Sequence, residues 1–187
     1  MDSEADPFLG DVRETFGHVA YSHKTHEKEA ETAVLLSRCL RACNVVVTGV
    51  TVVATILSPL LASAVAAWVA AGSAIVGLVF VLIQLSYDPS ETIAAHRTAA
   101  KAYLSIRNRY AQLIADTMGR PELRAEHERR RDDLAASLDK VETLAPQTSA
   151  EAYQRARRAL LEGGELSFTS DELDHLLPEA LRLSSPD

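Results

Sequence analysis

The chain has 187 residues, a formal net charge of −7 and only two cysteines, Cys39 and Cys43. An acidic balance supplies no basic footprint for nucleic-acid binding, and two cysteines do not make a disulfide framework. The hydrophobic share of 47 % is an average over two unlike parts, because residues 42–87 carry no Asp, Glu, Lys, Arg or His while the remainder is densely charged.

The chain opens on MDSEADPF, acidic and without an apolar run, so it does not read as a secretory signal peptide. Residues 17–41 read as a helix that runs into the uncharged stretch. Within it Ser22 to Glu29 is mostly polar. His23, His26 and Glu27 share a helical face by their i, i+3 and i+4 spacing, but no third well-placed ligand accompanies them. A solvated or subunit-contacting face is the expectation there, and no metal or cofactor is expected. Cys39 and Cys43 lie four apart on one face and read as small, semi-apolar side chains near the bilayer edge.

A helix spanning residues 42–87 would be about 69 Å long at 1.5 Å per residue, whereas one bilayer crossing needs about 30 Å. The stretch therefore reads as a hairpin of two crossings, near residues 42–61 and 64–85, broken around Ser58-Pro59 and Ala62-Ser63. Lys24, Lys28, Arg38 and Arg41 precede it, and Arg97, Lys101, Arg107 and Arg109 follow it. Positive charge outside both ends predicts that both termini are cytoplasmic. In the first crossing Asn44, Thr48, Thr51, Thr55 and Ser58 are spaced 4, 3, 4, 3 and share one face. In the second, Ser63, Ala70, Gly77 and Gln84 are seven apart, with Ala66 and Ser73 on the same side. Such faces either pack the two helices together or line an aqueous path in an oligomer. The two readings overlap, since contacts of a closed state can become lining in an open one. Val45, Val46, Val52, Val53 and Ile56 would then face lipid or a neighbour.

After the hairpin, Asp88-Pro89-Ser90-Glu91 is a helix start, and the helix runs to about Met118 with Gly119 as its stop. Tyr103, Ile106, Tyr110, Leu113 and Thr117 form a packing seam along it. A second helix from near Pro121 to before Pro146 carries a matching seam of Leu134, Leu138, Val141 and Ala145, so the two are expected to pair antiparallel. Arg129-Arg130-Arg131, followed by Asp132-Asp133, reads as a solvated face. Thr148-Ser149-Ala150-Glu151 opens a short helix ending at Gly163-Gly164, and Thr169-Ser170-Asp171-Glu172 opens a last one ending around Leu177-Pro178. Glycine-rich phosphate loops, nucleophile elbows, metal-finger spacings and dinucleotide fingerprints are all missing from the sequence, so no enzyme is expected. The fold class expected is all-α, a single domain made of a cytoplasmic helix (1–41), a two-helix membrane hairpin (42–87) and a cytoplasmic helical region (88–187).

Four segments, 22–31 (SHKTHEKEAE), the double crossing, 96–116 (HRTAAKAYLSIRNRYAQLIAD) and 131–160 (RDDLAASLDKVETLAPQTSAEAYQRARRAL), together with the tail 168–182, resemble the SLATT family, the SMODS and SLOG associating two-TM effector domains. The resemblance implies a membrane effector of bacterial conflict and antiviral systems. A separately encoded nucleotidyltransferase or nucleotide sensor would trigger it to oligomerise and open or disrupt the inner membrane. The alternative expectation is a membrane-anchored helical module that recruits a cytoplasmic partner without forming a pore.

Overall fold

A computed structural model describes residues 6–60, 64–86, 89–169 and 172–173. Among the described residues there are five α-helices: α1 (Pro7–Leu60), α2 (Ala64–Ser86), α3 (Pro89–Gly119), α4 (Arg124–Leu144) and α5 (Ala150–Leu161), with a 3-10 turn at Pro121–Leu123 before α4. There is no strand among the described residues, and the packed all-α class read from the sequence is the one observed.

α1 begins ten residues earlier than the sequence suggested. Asp6 caps it by accepting the Phe8 N–H at 3.1 Å, and Pro7 takes the first helical position, where a missing N–H costs nothing. Gly10 and Gly17 weaken the intrinsic helix signal here. Tertiary packing overrides them, because Phe8, Val12 and Val19 are all buried in the main core. At 54 residues α1 is a rod about 81 Å long. It continues through the uncharged stretch and past Pro59 to Leu60, one residue after a proline whose ring removes a backbone hydrogen bond. Ala62, Ser63 and the Asp88 cap lie outside the described residues.

α1 is the element against which the others assemble. α2 packs along its uncharged end, while α3 and α5 pack along its charged half. The seam read on α3 is the buried one: Tyr103, Ile106, Tyr110, Leu113 and Thr117 are all buried. Its principal partner, however, is α1, and α4 is added on the other side. Leu134 of α4 is buried in the same cluster, and Leu138, Val141 and Ala145 pack at its edge. Three helices therefore share one core, where the sequence pointed to two.

Polar ties hold this bundle in register. Two residues of the solvated arginine run also form ion pairs: Arg130 donates to Asp116 at 2.6 Å, and Arg131 pairs with Asp11 and Asp132. Arg124 stacks 4.1 Å above the Phe8 ring and pairs with Asp6 at 2.7 Å. These contacts fasten α4 to α3 and to the start of α1. Ser149 caps α5 by accepting the Ala152 N–H. The third residue of α5 is an alanine, so no local side chain can reach back to the Ser149 N–H as in a capping box. Glu29, on α1, accepts that N–H instead. Burial would raise the Glu29 pKa, but the Ser149 hydrogen bonds outweigh it and hold the carboxyl below its ordinary range. The following turn is clamped by Glu165, which pairs with Lys24 and Lys28. A capping pair joins Thr169 to Glu172; the helix expected beyond it lies outside the described residues.

Candidate functional site

Two helical stretches are long and apolar enough to cross a membrane, the uncharged end of α1 and residues 64–83 of α2. Almost none of either is buried within the chain. That argues against a hairpin buried in a soluble bundle, whose core helices would be covered. Val45, Val46, Val52, Val53 and Ile56 are exposed, as are Trp68 at 78 % and Leu85 at 79 %. A continuous apolar surface of this size demands lipid or other chains around it.

The inner faces of the hairpin are narrow and small. On α1, half-buried Asn44, Val47, Thr51 and Ser58 flank buried Ala54. On α2, half-buried Ala66, Ala70, Ser73, Gly77 and Phe80 follow a 4, 3, 4, 3 spacing. The Thr51 and Ser73 hydroxyls lie 2.8 Å apart. Each also sits near a carbonyl of its own helix, Val47 at 2.9 Å and Ala70 at 3.1 Å, so one hydroxyl proton bridges the two helices and the other stays within its own.

The five-residue stripe on α1 is thereby divided. Asn44, Thr51 and Ser58 turn toward α2, whereas Thr48 and Thr55 are exposed on its flank. With 100° between successive residues, the face that meets α2 is rotated by roughly 40° toward Val47 and Ala54. The Thr55 hydroxyl donates to the Thr51 carbonyl at 2.7 Å, the usual way a threonine satisfies itself inside an apolar helix. On α2, Ala70 and Gly77 lie in the inter-helix face, while Ser63 and the Gln84 side chain lie outside the described residues. Polarity alone did not mark Val47, Ala54 and Phe80 as members of this face.

A methyl placed on Gly77 would meet Val47 Cγ1 at 3.6 Å, an ordinary contact. Gly77→Ala is therefore expected to leave hairpin assembly unchanged, and Gly77→Leu to force the crossings apart. Crosslinking between cysteines introduced at Thr51 and Ser73, whose hydroxyls lie 2.8 Å apart, would register the difference.

The charged half of α1 departs from the sequence expectation. His23, Lys24, Thr25 and His26 are buried, not a solvated face. Val19, His23, His26, Ala30, Ala33 and Ser37 are all buried and continue the 4, 3, 4, 3, 4 spacing of a packing seam, so the histidines occupy core positions against α3. His23 Nδ1 donates to the Ala100 carbonyl at 2.9 Å. His26 Nδ1 meets His96 Nδ1 of α3 at 3.0 Å. His127 and Thr117 form a further buried pair at 3.1 Å. Since the Thr117 proton is given to the Leu113 carbonyl at 2.7 Å, His127 Nδ1 is the donor. His96 is the residue that sequence reasoning missed; its signal was the α3 seam continued N-terminally from Tyr103 by one heptad.

Among the described residues no group of three or more His, Cys, Asp or Glu side chains is arranged to hold a metal ion. Cys39 and Cys43 are exposed free thiols. At the membrane edge Arg41 folds back along its helix onto Ser37, through Nε to the carbonyl and Nη2 to the hydroxyl. That posture keeps its charge away from the apolar segment.

The working arrangement is thus a bare, charge-free hairpin joined without interruption to a packed charged bundle. No curated protein and no solved structure matches the chain. A family model does match, one described by its two membrane helices and its effector role, and the match spans nearly all of the described helices. Residues 8–172 fit the model of the SMODS and SLOG-associating 2TM effector domain family 4, and the chain belongs to that family.

Proposed function

We propose that this protein oligomerises in the bacterial inner membrane and opens an ion-permeable path when a conflict-system partner triggers it. The partner is a separately encoded nucleotidyltransferase or nucleotide sensor. One observation supports this above the others: α1 is a single rod running from the charged bundle through the first crossing. Any rotation or tilt imposed on the bundle reaches the membrane segment without a hinge to absorb it. The basic residues Arg38, Arg41, Arg97 and Lys101 flank the outer ends of the hairpin and favour a topology with both termini in the cytoplasm. The described chain forms one domain in this reading, with the hairpin as its effector part.

In the assembled state Thr48 and Thr55 turn inward. They are the stripe residues left uncovered by α2, and hydroxyls wet a lining without imposing charge selectivity. Asn44, Thr51, Ser58, Ala70 and Gly77 keep the two helices of each hairpin together. Replacing both exposed threonines, Thr48→Leu with Thr55→Leu, should abolish toxicity on overexpression while membrane insertion stays intact. Undiminished killing by the double variant would remove these two residues from the lining.

A second reading is an anchor that recruits a cytoplasmic partner. The Thr51–Ser73 contact favours it, because part of the hairpin's polarity is already consumed within one chain. It differs in one respect that can be measured: an anchor leaves the membrane sealed.

A further inference from the structure

The joint between α1 and α3 holds a group the proposed path does not use. His26 and His96, 4 % and 5 % exposed, oppose Nδ1 to Nδ1 at 3.0 Å. His26 also stacks on Tyr103, ring centres 5.3 Å apart. Between two Nδ1 atoms there is room for one hydrogen: one ring donates it and the other accepts through its lone pair. An imidazolium carries N–H at both nitrogens and accepts nothing. When both rings are charged the bond is lost, and two cations stand face to face in a buried seam.

The surroundings relieve that repulsion only in part: the Glu29 carboxylate favours a charged His26, while His23 opposes it. On α1, His23 spends its Nδ1–H on Ala100, and Glu27 is paired with Lys24. Glu29 is committed to Ser149, with Arg155 of α5 close enough to act on it. On α3 the neighbour is the neutral Tyr103. From α4, Glu142 lines the same cavity of about 380 Å³ as His26, together with Tyr21 and Tyr153. That cavity is open enough to bring water, and hence protons, to the ring.

We infer that the His26–His96 pair is a proton-operated latch, which clamps α1 to α3 while the rings share one hydrogen and releases them when both are charged. Release acts on both arms of the hairpin, since α1 enters the membrane directly and α3 follows α2. The inference concerns this joint alone and holds whether or not the crossings conduct.

Burial first, and then the charge of His96, push the His26 pKa down to about 4. An exposed ring titrates near 6.5. The sign follows directly: the open joint binds the proton more readily than the closed one. The joint therefore has full strength above pH 6.5, weakens as pH falls, and loses no more below about pH 4. Between pH 7.5 and pH 5 the opening equilibrium should rise about 30-fold.

Hydrogen exchange on the full chain in detergent tests this, with rates corrected for intrinsic chemistry. Amides of residues 20–33 and 94–106 should exchange about 30-fold faster at pH 5 than at pH 7.5. His26→Gln should abolish that dependence and His96→Gln should weaken it, since burial is the larger cause and His96 the second, while His18→Gln, at an exposed surface position, should keep it. Should a variant fail to fold, histidine ¹⁵N spectra of the unaltered chain decide: His26 must stay neutral well below the ordinary histidine range. Equal exchange at both pH values, an intact response in either pair variant, or a zinc ion bound through both rings would overturn the latch.

Discussion

Ala42→Pro should abolish effector activity while leaving both the bundle and the hairpin in place. Residue 42 is exposed within α1, at the point where the charged half meets the uncharged run. A proline in a helix interior removes one hydrogen bond, clashes with the preceding turn and costs about 3 kcal/mol or more. At this position neither core lies against the break: the seam of α1 with α3 runs as far as Ser37, and the contact with α2 starts at Asn44. The expected outcome is a chain that still inserts and still melts in one cooperative transition from a folded bundle, yet no longer kills on overexpression. Protease accessibility of the membrane fraction and a thermal melt in detergent verify the first two. An active Ala42→Pro variant would show that continuity of α1 is not how the bundle reaches the membrane.

Leu113→Ala should be the most damaging single truncation in the bundle. Leu113 has 0 % exposure and sits with Tyr110, Val12 and Leu134 where α1, α3 and α4 meet. Truncating a fully buried leucine removes its transfer free energy and leaves a cavity, together about 2–5 kcal/mol. For a bundle whose net stability is of order 5–15 kcal/mol, that is a large fraction. A fall in the denaturation midpoint of the detergent-solubilised chain, with unchanged hairpin crosslinking, is the result that fits. Leu144→Ala makes the comparison, since that side chain is 84 % exposed and its loss should change little.

These two experiments separate what was legible in the sequence from what was not. The hairpin was legible because the absence of charge over residues 42–87 is a global signal that no local propensity can hide. The α3 seam was legible because a 3, 4, 3, 4 spacing of Tyr103, Ile106, Tyr110, Leu113 and Thr117 is what a buried helix face requires. The start of α1 was not, since Gly10 and Gly17 lower helix propensity while Phe8, Val12 and Val19 gain their burial from partners about a hundred residues away. The polar seam was hidden for a related reason. His23 and His26 look like surface residues until Ala100 and His96 are brought against them, and spacing alone does not reveal a partner. A cap within Thr148-Ser149-Ala150-Glu151 was readable as a box headed by Thr148, but the capping residue is Ser149, and its second half comes from Glu29, which local rules would never select.

The candidate site was legible in part. Periodicity placed five polar residues on one face of the first crossing. It did not show that α2 would take Asn44, Thr51 and Ser58 and leave Thr48 and Thr55 outside. The rotation toward Val47 and Ala54 is set by size, because small side chains such as Ala54, and Gly77 opposite Val47, let the backbones approach irrespective of polarity. A hydropathy pattern does not encode that choice.

The central claim is that the hairpin permeabilises the membrane and does more than anchor a module. Membrane potential, followed with a voltage-sensitive dye in cells overexpressing the full chain, tests it most directly. Depolarisation should precede growth arrest and be absent in the Thr48→Leu, Thr55→Leu double variant. Growth arrest with the potential fully maintained would contradict it.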